Sequence, residues 1–243
     1  MVRFSGFPSV NAVIEGGHRK IIRVIYDPTV FGRKNVKRYQ TSALEAVKNL
    51  CKTKCIPIEE IADSTEIVGG IAVECEARIF GAFSAAPENH SSFLCYLDGV
   101  EDPYNIGQAV RVLYAMGFDG IVLPGEGFVI SEEILCRSSA GASELMPIFV
   151  MPAEDAARAF TKAKYDIVCA EMSTHSVPLS SAKFGNRILL VVGGEKRGIS
   201  QPLLRAATTL VKIEYGRDCA IALPAASAAA IIGYEISKSR KFS

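Results

Sequence analysis

The stretch Leu97-DGVEDPYNIGQAVRVLYAMGFDGIVL-Pro124 decides how this chain is built. Residues 93–97 are apolar and read as a strand, a polar turn follows, an amphipathic helix spans 106–116, and 120–123 form a second apolar strand. That is a βαβ unit whose turn carries Asp102, Pro103, Asn105 and Gly107, with Arg111 one turn beyond. Asn105 is placed to cap the helix, and Gln108 three residues later completes a capping-box pattern. Ile106, Ala109, Val110, Leu113 and Gly117 make the stripe expected to be buried. Arg111 lies off that stripe and should face outward near the carboxyl ends of the strands, where open parallel sheets bind their ligands.

From residue 93 onward, strand and helix patterns alternate. Strands are expected at 93–97, 120–123, 146–150, 166–170, 188–192 and 209–213, and helices at 106–116, 131–138, 153–163, 202–207 and 225–237. Continuous apolar strands alternating with helices imply a mostly parallel sheet covered on both faces. The first part reads as a small α/β domain, with helices at 10–15 and 42–51 and strands at 21–26, 56–58 and 71–75. The small, polar segment GAFSAAPENHSS reads as a linker. The expected division is therefore a domain at 1–80, a linker at 81–92 and a larger domain at 93–243.

Composition narrows the class. A 243-residue chain that is 49% hydrophobic can bury one large core or two modest ones. The apolar runs are too short to span a bilayer, and the opening MVRFSGFPSVNAVIEGG lacks the layout of an export signal. Seven cysteines at core-like positions fit reduced thiols, so the expectation is a cytoplasmic protein without a bound metal. Cys51 and Cys55 read as packing residues, because no second pair or nearby histidine completes a metal site. Net charge is only +1, so nucleic-acid binding must rest on a local patch. One exists. Between Phe31 and Lys54, Arg33, Lys34, Lys37, Arg38, Lys48, Lys52 and Lys54 face a single acid, Glu45, with Phe31 and Tyr39 flanking the densest part. Such a strip suits phosphate contacts and base stacking, and equally a solvated helix face.

Two further clusters follow strands. After 188–192 comes Gly193-Gly-Glu-Lys-Arg-Gly-Ile-Ser200, where glycines let backbone approach a ligand and Glu195 can bind polar groups. Ser200 is placed to cap the next helix, with Pro202 in its first turn. The chain then closes with Ala222-LPAASAAAIIGYEIS, an alanine-rich helix started by Pro224. Neither a GxGxxG fingerprint at a strand end nor a GxxxxGK[ST] loop is present, which argues against common dinucleotide and nucleoside-triphosphate sites.

In this order the three clusters resemble the SPOUT class of methyltransferases, specifically the SpoU/TrmH family. Asp102, Pro103, Asn105, Gly107 and Arg111 match its first motif, and Gly193, Glu195, Gly198, Ile199 and Ser200 its second. A Ser-Ala-Gly-Ala usual in the family appears as Ser139 to Ala142, and the N-terminal part resembles the family's ribosomal-protein-like substrate-binding domain. The resemblance implies a parallel α/β domain tied in a deep trefoil knot, working as a homodimer. It also implies S-adenosyl-L-methionine as methyl donor and 2′-O-ribose methylation of RNA, of ribosomal RNA first and tRNA second. By motif position Gly193, Ile213 and Leu223 would line the cofactor pocket. Arg111 would stand closest to the chemistry with Asn105 and Glu195 in support, and Arg33, Lys34, Lys37 and Arg38 would contact RNA.

The third motif departs from the pattern. Where the family carries Ser-Leu-Asn-Val-Ser, this chain has Ala222-Leu223-Pro224-Ala225-Ala226, and the preceding loop, Glu214-YGRDCA, is one residue longer and lacks the usual Pro-Met. Two readings therefore stand side by side: an active RNA 2′-O-methyltransferase, and a non-catalytic RNA-binding protein on the same scaffold.

Overall fold

The computed structural model describes residues 1–32, 38–61, 67–86, 88, 90–125, 130–218 and 221–239. The chain runs through β1 (Val2–Ser5), α1 (Phe7–Gly16), β2 (Ile21–Tyr26), α2 (Pro28–Phe31), α3 (Arg38–Thr53), β3 (Ile58–Glu60) and β4 (Ile71–Cys75). Next come β5 (Ser92–Asp98), α4 (Pro103–Ala115), β6 (Gly120–Leu123), α5 (Glu132–Ser138), α6 (Ala142–Leu145), β7 (Ile148–Val150) and α7 (Ala153–Lys162). Then follow β8 (Asp166–Ala170), β9 (Val177–Pro178), β10 (Arg187–Gly193), α8 (Gln201–Ala206), β11 (Thr209–Lys212) and α9 (Ala225–Ser237). These residues form two compact units: Met1–Ile79 with Ser131–Leu145, and Phe80–Ile130 with Met146–Ser243.

The first unit is a mixed four-stranded sheet in the order β1-β4-β2-β3, antiparallel except for the β2–β3 pair. Phe4, Val13, Ile14, Val24, Val47, Ile71 and Val73 fill its core. The sequence reading placed residues 131–145 with the later part of the chain, yet here they belong to this unit, and Cys136 of α5 joins the core. The cause is tertiary and ionic. Arg19 grips Glu144 with two hydrogen bonds, 2.7 and 3.0 Å, and also pairs with Glu132, while its guanidinium sits 4.6 Å over the Phe4 ring. Arg78 lies 3.9 Å from Glu144 and donates to the Ser143 carbonyl. Burial opposes the Arg19 charge, but hydrogen bonds and ion pairs with Glu144 and Glu132 outweigh it and hold the guanidinium more basic than usual. Arg78, with weaker compensation, is pushed down by burial. The Ser139–Ala142 element packs here too: a Cβ on Gly141, at φ +90°, would lie 2.6 Å from Ala12 Cβ, and one on Gly16 would lie 1.7 Å from the Glu144 carbonyl oxygen.

The second unit carries a seven-stranded sheet in the order β7-β6-β5-β10-β8-β11-β9, every neighbouring pair parallel. All six expected strands are present, and β9 adds a two-residue edge too short to show in the sequence pattern. On one face, Tyr96, Phe160, Tyr165, Leu189, Val191 and Leu203 pack with α7 and α8. Elsewhere in this unit α9 lies along α4 and β10, close enough that a Cβ on Gly233 would sit 2.9 Å from Leu113. The segment expected as a linker is engaged at its start. Gly81 pairs with Phe149, the Phe83 ring lies 4.3 Å from that of Phe160, and the Ala86 carbonyl accepts from Arg187 at 2.8 Å. A half-buried aromatic side chain packed against the core outweighs the small, polar character of its neighbours.

Helix α4 begins a turn earlier than its capping box implied. Asp102 is the N-cap and accepts from the Tyr104 amide at 3.1 Å, and Pro103 supplies a preset first helical residue. Asn105 therefore lies inside the first turn and is not the cap. Ile106, Ala109, Val110 and Leu113 are buried as expected, whereas Gly117 lies past the helix end at φ +78°, where a left-handed residue favours glycine.

Among the described residues no helix is long and apolar enough to cross a membrane. Among the described residues six cysteines are free thiols, five of them buried. Cys51 packs in the core as read, but Cys55 is exposed at φ +55° just beyond α3. Burial pushes the Cys75 thiol up to about 11 and those of Cys136 and Cys169 up to about 12. Since the thiolate is the reactive form, a brief pulse of iodoacetamide should modify Cys55 and spare Cys75, Cys95, Cys136 and Cys169. Peptide mass mapping reads this directly, and labelling of the buried set in the native protein would contradict the packing.

Candidate functional site

The two central strands of the parallel sheet, β5 and β10, end together, with Asp98 paired in register with Gly193. Their following loops meet backbone against backbone: a Cβ on Gly194 would sit 2.2 Å from the Gly99 carbonyl oxygen. The loop after β10 folds back on itself. Gly198 donates to the Gly194 carbonyl at 2.9 Å, and its φ of +63° makes the turn. A Cβ on Gly193 would meet the Gly198 carbonyl carbon at 2.5 Å. Glycine at 193 and 194 is thus a steric requirement, which the sequence suggested only as permissiveness.

Two cavities flank this contact. One, of about 440 Å³, is lined by Gly193, Ile213 and Leu223 together with Val192, Val211, Ile221 and Ala228. The second, also about 440 Å³, is lined by Gly99, Asp102, Asn105, Lys196 and Arg197. Gly194, Glu195 and Ala225 belong to both walls. The loops after β5, β10 and β11 and the start of α9 therefore converge. Volume and apolar lining suit a nucleoside-sized ligand in the first cavity, with main-chain groups of the glycine loop as polar partners. Among the described residues no group of three or more His, Cys, Asp or Glu side chains could hold a metal.

The structure brings five of the six expected cofactor and catalytic residues to these walls. Arg111 is the exception: it is exposed farther along α4 and lines neither cavity. Of the expected RNA contacts, Arg33, Lys34 and Lys37 lie outside the described residues, and Arg38 opens α3. Two of the later lysines in that strip have structural partners. Lys48 pairs with Glu45 at 3.5 Å and stacks 4.6 Å over Tyr26, and Lys54 donates to the Ile14 carbonyl at 2.7 Å.

Ser200 occupies the N-cap of α8, but its side chain makes no capping bond, and its hydroxyl is buried without a partner among the described residues. Its amide instead donates to the Asp98 carboxylate at 2.6 Å. Sequence reasoning passed over Asp98. Its one visible signal was an acid closing an apolar strand immediately before a glycine.

The model of the SpoU rRNA methylase family matches residues 92–234. The chain belongs to that family. The match takes in every residue that lines the two cavities. Among relatives, a Staphylococcus saprophyticus protein named for the TrmH family of tRNA/rRNA methyltransferases is 27% identical over 98% of this chain and 95% of its own. The 23S rRNA (guanosine-2′-O-)-methyltransferase RlmB of Shewanella oneidensis is 25% identical over 64% of this chain and 65% of its own. Among solved structures, the SpoU methyltransferase AviRb of Streptomyces viridochromogenes, in complex with the cofactor AdoMet, superposes with a TM-score of 0.73. That match is 21% identical and covers 97% of this SpoU family chain and 89% of AviRb, so the shared fold extends beyond the family segment into the N-terminal unit.

Proposed function

We propose that this protein is an S-adenosylmethionine-dependent RNA methyltransferase that modifies a ribose 2′-hydroxyl in ribosomal RNA or tRNA. One observation carries the reading: separate loops meet to form two cavities that share the wall Gly194–Glu195 and Ala225. In this reading the cavity of Gly193, Ile213 and Leu223 takes the cofactor, and that of Asn105 and Glu195 takes the acceptor nucleotide. The RlmB relative, whose name specifies 2′-O-methylation, supports the choice of atom.

When bound, the cofactor supplies an electrophilic methyl group. The chain's own residues orient and exclude. Backbone groups beside Gly193 and Gly194 hold the donor, while Asn105 and Glu195 fix the ribose, and holding both partners in line supplies much of the rate. Arginine is a poor general base, with a pKa of about 12 or more. Arg111 is therefore assigned to the target phosphate, which orients the 2′-hydroxyl so that its proton passes to phosphate or water. Because Arg111 lies outside both cavities, bound RNA must reach over α4 to meet it.

The β5, β10 and β11 loops and the return of α9 onto α4 are consistent with a deep trefoil knot in the second unit. Exposed Tyr104 and Tyr114 on α4 and Ile231 and Tyr234 on α9 support a homodimer through these helices. The N-terminal unit is assigned to RNA capture through Arg33, Lys34, Lys37 and Arg38, and the protein to the cytoplasm.

The test is methyl transfer from labelled S-adenosylmethionine to rRNA and tRNA, with ribose methylation mapped at nucleotide resolution. Arg111→Ala should bind the cofactor normally and turn over at least tenfold more slowly. Unimpaired turnover removes the assigned role. Cofactor binding without transfer to any RNA would favour the non-catalytic reading that the altered third motif raises.

A further inference from the structure

We propose that Asp98 is a positioning residue that clamps the Gly194–Ser200 loop at both ends and thereby sets cofactor affinity; the second half of this inference rests on the function proposed above. Asp98 is 8% exposed and closes β5. Its backbone carbonyl accepts from the Gly194 amide at 2.7 Å, at the start of the loop. Its carboxylate accepts from the Ser200 amide at 2.6 Å, at the end. A single residue on the neighbouring strand thus fixes both feet of the loop that carries Glu195 and walls both cavities. The Ser200 hydroxyl does not perform this task, because it makes no capping bond. Gly99, next in the chain at φ +68°, then lays its carbonyl against Gly194, so movement of Asp98 is passed directly to the shared wall. A carboxylate accepting an amide forms one of the stronger classes of hydrogen bond.

Asp98→Ala removes the foot at Ser200 and leaves the one at Gly194. Asp98→Asn retains an acceptor oxygen without the charge and serves as the conservative rescue. In amide hydrogen exchange, Asp98→Ala should exchange at least tenfold faster than wild type over 194–200, with the centre of β10 at 189–191 unchanged and Asp98→Asn in between. Calorimetry with S-adenosylmethionine, well below each variant's Tm, should show affinity reduced ~10- to 100-fold for Asp98→Ala and less for Asp98→Asn.

Wild-type exchange over 194–200 in Asp98→Ala would overturn the clamp. Loosened exchange with wild-type affinity would overturn the link to the cofactor, as would a lowered Tm with neither readout moved. If wild type itself binds no S-adenosylmethionine, the proposed function falls, while the exchange data alone still decide whether Asp98 holds the loop.

Discussion

Arg19→Ala should cost the N-terminal unit about 3–5 kcal/mol, the range found when one partner of a buried ion pair is removed. The Arg19 side chain is 1% exposed and that of Glu144 2%. The variant leaves Glu144 buried with Arg78 at 3.9 Å as its nearest cation among the described residues, and Arg78 already spends a donor on the Ser143 carbonyl. The Glu132 contact and the Arg19 stack on Phe4 vanish together. Urea unfolding followed by circular dichroism measures the loss. Glu144→Gln should fall between wild type and Arg19→Ala, because it removes the charge yet keeps an acceptor oxygen. A cost below about 1 kcal/mol for Arg19→Ala, the range of surface pairs, would mean that this cluster does not hold residues 131–145 in place.

Gly194→Ala should slow methyl transfer about 100-fold while leaving the fold. The added methyl would stand 2.2 Å from the Gly99 carbonyl oxygen and 2.8 Å from its carbon, both backbone atoms that no rotamer change can move aside. The loops after β5 and β10 must then separate by roughly 1 Å, a displacement that costs about 10²-fold in rate when it misplaces reacting groups. Overpacking of this kind also costs about 1–3 kcal/mol of stability. Gly216→Ala is the control, since a methyl there meets nothing within 4 Å. Equal methyl transfer by Gly194→Ala and wild type would show that the shared wall does not govern the chemistry.

Much of the second unit was legible because its signals are local. Apolar strands such as Ile188 to Val192 announce themselves, and Pro103 and Gly193 mark where loops meet the regular elements. Asp102 and Asn105 both suit a cap, and only the backbone shows that the Asp102-Pro103 pair begins α4. Ser200 has the right residue type for a cap, yet its amide is taken by Asp98, 102 positions earlier. Arg19 and Glu144 stand 125 apart, so no window of sequence reveals their pairing or the transfer of residues 131–145 to the first unit. Cys55 reads as a packing residue by type and is exposed because the left-handed end of α3 turns it out.

The chain passes from one unit to the other three times, after Ile79, Ile130 and Leu145. One protease nick between residues 80 and 91 would therefore liberate nothing: the amino-terminal fragment would stay bound through Arg19 to the piece carrying Glu132 and Glu144. An expression fragment ending at residue 79 would lack α5 and α6 and leave Arg19 without its carboxylates. Grafting the first unit elsewhere would require both of its segments, joined by a designed connection.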